Sequence, residues 1–320
     1  MNRPQHRPGA SQESGQETIS DSEFTQLTSL IRERTGLSIP LTKKALLTAR
    51  LSERIRSLGM VSYSEYHRRV LSVGTGELTR MTEALCTHET RFFRDPEQLA
   101  FIEQKVLPGW LREAADKPRR IRIWSAGCST GEEAFSIAML LLAKAPPESG
   151  LTVDVLATDI SNAALEKARH ATFTEQRMAE VPESYRRRFF EHDAKTGEHR
   201  PTSDLRSVIR FQRLNLYDWH YPVTGRFDLV LCRNVLIYFD TETRAAVTRR
   251  LVERLAPDGL LFLGMAESLL AVRDGSLSAT PEAAPRDVRP LVAVGPAIYA
   301  HADKPRGRPA RPHHRATGNT

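Results

Sequence analysis

The sequence predicts a doubly wound, Rossmann-like α/β domain preceded by a small all-helical domain. Residues 20–90 carry apolar positions at helical spacing. From about residue 119, strand-length apolar runs alternate with amphipathic helices. The first of those strands passes through a small-residue loop, Gly-Cys-Ser-Thr-Gly, directly into a helix.

Composition narrows the class. The chain has 320 residues, a formal net charge of +7 and 40% hydrophobic residues, enough apolar material for one large core and a smaller one. Its longest apolar run, around Ala138–Ala143, is far short of the roughly 18 residues of a membrane span. The opening MNRPQHRPGASQESGQET has no apolar segment and does not read as a secretory signal. Cys86, Cys128 and Cys232 lie far apart, without metal-ligand spacing, which suits a reducing, cytoplasmic compartment and predicts no metal site. The basic balance fits nucleic acid, an acidic protein surface or simple solubility. Part of it sits in a Pro-rich tail, KPRGRPARPHHR.

In chain order, residues 1–18 read as a polar, disordered tail. Ser20 and Glu23 form a capping box, with Ile19 and Phe24 placed as a hydrophobic staple. Phe24, Leu27, Leu30 and Ile31 continue that helix until Gly36. Thr42 is placed to cap a second helix reaching about Gly59, and Ser62 with Glu65 starts a third. A fourth carries Leu78, Met81 and Leu85. These make a helical domain at 19–90. Asp95-Pro96 signals another start, Asp as N-cap and Pro at the first helical position, of a linker helix within 91–118. The α/β domain then spans 119–302. IRIWSA, TVDVLATD, VIRFQRLNL, FDLVLCRN and LLFLGMAE are its strands, and EEAFSIAMLLLAKA, SNAALEKAR and TETRAAVTRRLVERLA its helices. The polar stretch at about 173–210, with Gly197 as a turn, breaks the alternation and reads as an insertion holding helix and a small antiparallel hairpin. Residues 273–290 read as a loop before a last strand near Leu291–Tyr299, and 303–320 as a disordered basic tail.

The segment IWSAGCSTGEEAFSIA is the most informative. Gly127 and Gly131 permit close backbone approach, and the helix that follows offers free N–H groups at its start. Glu132 and Glu133 occupy its first turn, where they suit the helix dipole but would repel a pyrophosphate. Neither GxGxxG nor GxxxxGK is present, so the dinucleotide and nucleoside-triphosphate fingerprints both fail. A phosphate-free cation with a ribose, such as S-adenosylmethionine, fits better. Asp159, at the end of the second strand, is placed to accept ribose hydroxyls, or else caps the next helix, a task open to Ser161 as well. Arg233 and Asn234 emerge where the apolar FDLVLC strand ends.

Taken together, THETRFFRD at 87–95, IWSAGCSTGEEAFSIA at 123–138, ATDIS at 157–161, FDLVLCRNVLIYFD at 227–240 and LAPDGLLFLG at 255–264 resemble the CheR family of chemotaxis receptor methyltransferases. The resemblance covers roughly residues 20–270. It implies a helical N-terminal domain, a linker helix, a methyltransferase domain that uses S-adenosylmethionine and leaves S-adenosylhomocysteine, and a β-subdomain inserted within it. It also implies protein-glutamate O-methylation of receptor helices, and cofactor contacts at His88, Thr90, Arg94, Glu133, Asp159, Asn215, Leu216, Cys232 and Arg233. Tyr238 matches a tyrosine near the reaction centre. The chain departs from the family at His88, where Asn is frequent, and at Met265, where His is frequent.

A glutamate of pKa about 4.3 is already ionised at neutral pH, so methyl transfer to it needs no general base. Arg94, with Arg233 and Tyr238, is the expected group for orienting the acceptor or the cofactor. Lys43, Arg50 and Arg54 recur at i, i+7 and i+11 and could present one basic face to acidic receptor helices. Expected partners are those cytoplasmic methylation helices, with a receptor C-terminal tail peptide at the β-subdomain left open; nucleic acid and membrane insertion are not expected, and the chain is expected to be a monomer. A nucleic-acid methyltransferase and a non-catalytic, cofactor-binding regulator are the alternatives.

Overall fold

Two periodicities build the architecture. In the computed structural model, which describes residues 18–72, 74, 76–86, 89–267 and 290–302, helix-period segments form one compact unit ending at Leu85. Strand-period segments form a second unit from Cys86 onward, which also takes in Thr35–Leu37. His88, the tails and the 273–290 stretch lie outside the described residues, apart from Thr18 and Pro290.

The first unit holds α1 (Asp21–Thr35), α2 (Lys44–Ser57), α3 (Tyr63–Leu71) and α4 (Glu77–Leu85). The capping box forms as the sequence requires: Glu23 N–H donates to Ser20 Oγ at 3.2 Å, and Ser20 N–H to Glu23 Oε2 at 3.0 Å. Ser62 caps α3 by accepting from Glu65 N–H at 3.1 Å. Thr42 does not cap α2. Pro40 fixes its own dihedral and opens a 3₁₀ turn, Leu41–Lys43, and α2 starts at Lys44 without a side-chain cap. The expected basic face is also corrected. Arg54 donates to both oxygens of buried Glu77, at 2.8 and 2.7 Å, and Arg50 donates to the Leu85 carbonyl at 2.7 Å. Both guanidiniums therefore fasten α2 to α4. Tyr66 Oη donates to the same Glu77 at 3.0 Å.

In the second unit, α5 (Pro96–Phe101), a π turn (Ile102–Val106) and α6 (Leu107–Asp116) form one interrupted helix. Pro108 has no N–H for the α-helical ladder, and the chain widens just before it, Leu107 N–H reaching back to the Ile102 carbonyl. The helix buries Leu99, Ile102, Leu107 and Trp110 in the core of this unit.

A seven-stranded sheet follows among the described residues, built from β1 (Arg119–Ala126), β2 (Leu151–Asp159), β6 (Ile209–Arg213), β7 (Phe227–Cys232), β8 (Leu255–Leu263), β9 (Leu291–Gly295) and β10 (Ile298–His301). Its order is β6-β2-β1-β7-β8-β10-β9. The strands from β6 to β8 are parallel, and β10 is antiparallel to both β8 and β9. Side chains alternate across it with period two. Ile121, Ile123, Val155, Leu229, Leu231 and Phe262 join one core, with α7 (Glu132–Lys144). Trp124, Ala126, Leu156, Val230, Leu261 and Leu263 join the opposite core, with α12 (Thr241–Val252). Covering both faces buries β1 from Ile123 to Ala126 and β2 from Val153 to Asp159 on both sides. The sheet is mixed at one end, because the single last strand expected near Leu291–Tyr299 is a hairpin. The expected final helix is shorter too: α12 stops at Val252, and Leu255 already pairs with Phe227 as the start of β8.

The insertion between α8 (Asn162–His170) and β6 contains β3 (Phe173–Thr174), α9 (Glu175–Met178), α10 (Glu183–Phe189), β4 (Phe190–Asp193), β5 (Glu198–Pro201) and α11 (Ser203–Ser207). The antiparallel hairpin of β4 and β5 turns at Gly197, whose φ is +69°, and β3 adds a third strand beside β5. Phe92 anchors this subdomain, its ring edge-on to Phe173 at 4.9 Å and to Phe190 at 6.0 Å.

Candidate active site

Strand order reverses between β1 and β7, and a crevice opens at the carboxyl ends of parallel strands at such a switch point. The loops after β1, β2, β6, β7 and β8 all emerge at that edge.

The loop after β1 is shaped by its glycines. Gly127 has φ +87°, and a Cβ there would meet Val235 Cγ2 at 2.3 Å. Gly131 has φ +98° and starts α7. Ser129 also takes a positive φ, 51°, and is held there by Asp159. The Asp159 carboxylate accepts Ser129 N–H at 2.8 Å on one oxygen and Ser161 N–H at 2.9 Å on the other. Each oxygen retains further lone-pair capacity for hydroxyl donors. The cap of α8 is Ser161, whose Oγ accepts Ala164 N–H at 3.1 Å.

The two carboxylates that start α7 diverge. Glu132 is buried against the Thr130 hydroxyl at 2.6 Å and faces Arg177 of α9 at 3.4 Å. Glu133 accepts from Ser125 Oγ at 2.6 Å and from Arg233 Nη1 at 3.3 Å. Burial pushes the Glu133 carboxyl above its usual range, while Arg233, the Ser125 hydroxyl and Arg94 pull the other way.

Arg233 is the hub. Its side chain is 3% exposed. Nη2 donates to Asp95 Oδ2 at 2.7 Å and to the Arg94 carbonyl at 2.5 Å, while Nη1 reaches Glu133. Asp95 therefore does not serve as the helix cap its position suggests. It sits at φ +53° with no side-chain cap bond, and its carboxylate is spent on Arg233. The neighbouring Phe93 has φ 51°, and its N–H is held by Ser136 Oγ at 2.9 Å. Arg94 Nη1 donates to the Glu89 carbonyl at 3.1 Å, and Arg177 Nη1 to the Thr90 carbonyl at 2.9 Å.

The structure thus brings Arg94, Glu133 and Arg233 into one electrostatic cluster, with Asp159 on the adjoining loop. Asn215 and Leu216 follow β6, where Leu214 N–H bonds the Asp159 carbonyl at 2.9 Å. Asn215 spends its side chain locally, donating to Asp218 Oδ1 at 3.1 Å and accepting from Tyr217 N–H at 3.1 Å. Leu216 is buried, and its carbonyl accepts the Tyr221 hydroxyl at 2.7 Å. Cys232 is fully buried at the end of β7, its thiol pushed well up by burial and by the charges of Glu267 and Glu133. Tyr238 ends a 3₁₀ turn, Leu236–Tyr238, six residues past β7 and is half-buried.

Sequence reasoning missed Asp95 as a counter-ion, Ser125, Arg177 and Glu267. Buried Glu267 accepts the N–H groups of Asn234, Ile237 and Gly264 at 2.7, 3.1 and 2.7 Å. The one available signal was an acidic residue just beyond a buried apolar strand.

The donor set suits S-adenosylmethionine. Carboxylates stand at the start of α7 and at the end of β2, and the glycine loop between them is drawn in by Asp159 rather than opened as a phosphate cradle. Glu133 and Asp159 would meet the cationic and hydroxyl parts of such a ligand.

The family model described as "CheR methyltransferase, SAM binding domain" matches residues 88–281, and "CheR methyltransferase, all-alpha domain" matches residues 22–86. A "Chemotaxis protein methyltransferase" of Vibrio parahaemolyticus is 34% identical over 80% of this chain and 93% of its own length. Proteins of the same description from Borreliella burgdorferi and Escherichia coli are 31% and 35% identical, each over 78% of this chain and over 89% and 85% of their own.

Proposed function

The chain belongs to the CheR methyltransferase family, and on that premise we propose that it esterifies glutamate side chains on the cytoplasmic helices of chemosensory receptors. The observation that carries this reading is the pairing of a phosphate-averse glycine loop, stapled by Asp159, with a buried Arg233–Glu133 pair at the strand switch point.

When bound, S-adenosylmethionine supplies an electrophilic methyl group on a sulfonium. Asp159 would accept the ribose hydroxyls and Glu133 would lie toward the positive part of the molecule. Thr90, Asn215, Leu216 and Cys232 would wall the same pocket, Cys232 through its backbone and its uncharged thiol. An acceptor glutamate is ionised at neutral pH, so the protein has no proton to remove. Its work is positioning and the exclusion of water. Arg94, half-buried beside Glu133, would hold the acceptor carboxylate in line. Its role is orientation, because maximal attraction would stabilise the ground state equally. Tyr238 would close the acceptor side.

No helix among the described residues is long and apolar enough to cross a membrane. A cytoplasmic, monomeric enzyme visiting membrane-bound receptors fits this reading, with the β-subdomain as the place where a receptor tail would dock.

The test is transfer of labelled methyl from S-adenosylmethionine to receptor-containing membranes, read as base-labile ester, with Arg94→Ala as control. Label in nucleic acid, or cofactor binding without label on any acceptor, would overturn the reading.

A further inference from the structure

Glu267 lies four residues past the end of β8, yet its side chain is 3% exposed and turned toward the loop after β7. Oε2 accepts Asn234 N–H and Gly264 N–H, both at 2.7 Å, and Oε1 accepts Ile237 N–H at 3.1 Å. Its own N–H closes a turn onto the Gly264 carbonyl at 2.8 Å. One buried carboxylate thereby gathers three backbone donors from two strand ends.

Two further features show that the chain is built around this contact. Asn234 has φ +60°, a left-handed conformation that Asn adopts more readily than other non-glycine residues, and Glu267 holds its N–H there. Gly264 has no side chain where a Cβ would stand 2.6 Å from Glu267 Oε2 and 2.8 Å from Asn234 N. The stapled residues, Asn234 to Ile237, lie between Arg233 and Tyr238. Arg233 leaves the strand toward Asp95 and Glu133, and Tyr238 follows one 3₁₀ turn later. The staple fixes the Asn234 and Ile237 N–H groups between these two side chains, and Tyr238 N–H then closes the 3₁₀ turn onto the Val235 carbonyl at 3.2 Å.

We propose that Glu267 is a positioning residue for methyl transfer, a buried carboxylate that fixes the path of the β7 loop and so the placement of Tyr238 relative to Arg233. This rests on the methyltransferase reading above. Removing the staple frees the loop on the acceptor side while the Asp159 and Glu133 loop is left in place. Turnover should fall and cofactor binding should not.

The test compares wild type with Glu267→Gln, which keeps the size but replaces an acceptor oxygen with a donor, and with Gly264→Ala, which keeps Glu267 but crowds its carboxylate. Turnover at saturating S-adenosylmethionine and receptor membranes is measured beside calorimetric affinity for S-adenosylhomocysteine. A fall in kcat on the order of 10- to 100-fold in both variants, with that affinity within about threefold of wild type, supports the proposal. An unchanged kcat in either folded variant overturns it. So does a loss of cofactor affinity parallel to the loss of kcat, which would make Glu267 part of the scaffold. A wild-type chain without methyl transfer would sink the enzymatic reading itself, an outcome separate from these.

Discussion

Arg233 Nη2 lies 2.7 Å from Asp95 Oδ2, which makes a residue placed as a helix cap into the counter-ion of the arginine at the end of β7. The same guanidinium reaches Glu133 at 3.3 Å, so one buried cation balances two carboxylates from separate elements. Arg233→Ala takes the guanidinium from both carboxylates, leaving Glu133 the Ser125 hydroxyl and the charge of Arg94, and should cost about 3 kcal/mol of stability. Arg233→Lys restores the charge but not the planar fork, and should recover more stability than methyl transfer. Denaturant midpoints and labelled-methyl assays on the two variants check this; full activity in the lysine variant would contradict it.

Gly127 combines two demands, a φ of +87° and a Val235 methyl 2.3 Å from where its Cβ would stand. Gly127→Ala should be destabilising. Adding Val235→Ala should relieve the clash but leave a dihedral cost of about 1–2 kcal/mol. The double variant should therefore unfold between Gly127→Ala and wild type in thermal melts. Melting at the wild-type temperature would show that the dihedral carries no cost.

Asp159 uses one oxygen on Ser129 N–H and the other on Ser161 N–H. Asp159→Asn must turn an amide N–H₂ toward one of these donors. The lost bond and the repelled donor together are worth about 1–3 kcal/mol. Calorimetry with S-adenosylhomocysteine should show affinity lower by roughly 10- to 100-fold.

Glu133 titrates above its ordinary value of 4.5, chiefly because it is buried. A folded-state pKa raised in this way means that the folded chain holds the proton more tightly than the unfolded one. The group's contribution to stability is present below 4.5 and is lost as pH rises through the folded value. A cationic ligand requires the opposite, ionised form. Affinity for S-adenosylhomocysteine, whose ammonium is charged, should weaken as pH falls through that value, and Glu133→Gln should flatten the profile.

In the helical unit the sign reverses. Two bonds from Arg54 lead the forces that hold the Glu77 carboxyl below 4.5. Its stabilisation is present above that pH and is lost as pH falls through the depressed value. Glu77→Gln should cost about 1.5–3 kcal/mol at neutral pH. Amide exchange across α2–α4 should then become less sensitive to acid than in wild type.

Much of the fold was legible because local rules and tertiary structure agree. Ser20–Glu23 and Ser62–Glu65 cap helices through neighbours three residues away, and such a bond needs no knowledge of the rest of the chain. The failures were of another kind. Thr42 lost its role to the 3₁₀ turn opened by Pro40, and helix spacing carried the last helix past Val252 because Leu255 pairs with a strand distant in sequence. Lys43, Arg50 and Arg54 share a helix face by spacing, but spacing does not say what that face meets. For two of them it is α4.

By itself, the sequence determined the alternation of strands and helices from β1 to β8 outside the insertion, the glycine loop and the acidic helix start that disfavours phosphate, because each depends on residues adjacent in the chain. Tertiary structure alone decided which charges meet. Asp95 finds Arg233 across 138 positions, Arg177 reaches Glu132 from within the inserted subdomain, and Glu267 reaches back 33 positions to Asn234. Composition cannot encode such pairings, because an arginine or a buried carboxylate takes whichever partner the packed sheet brings within hydrogen-bond reach.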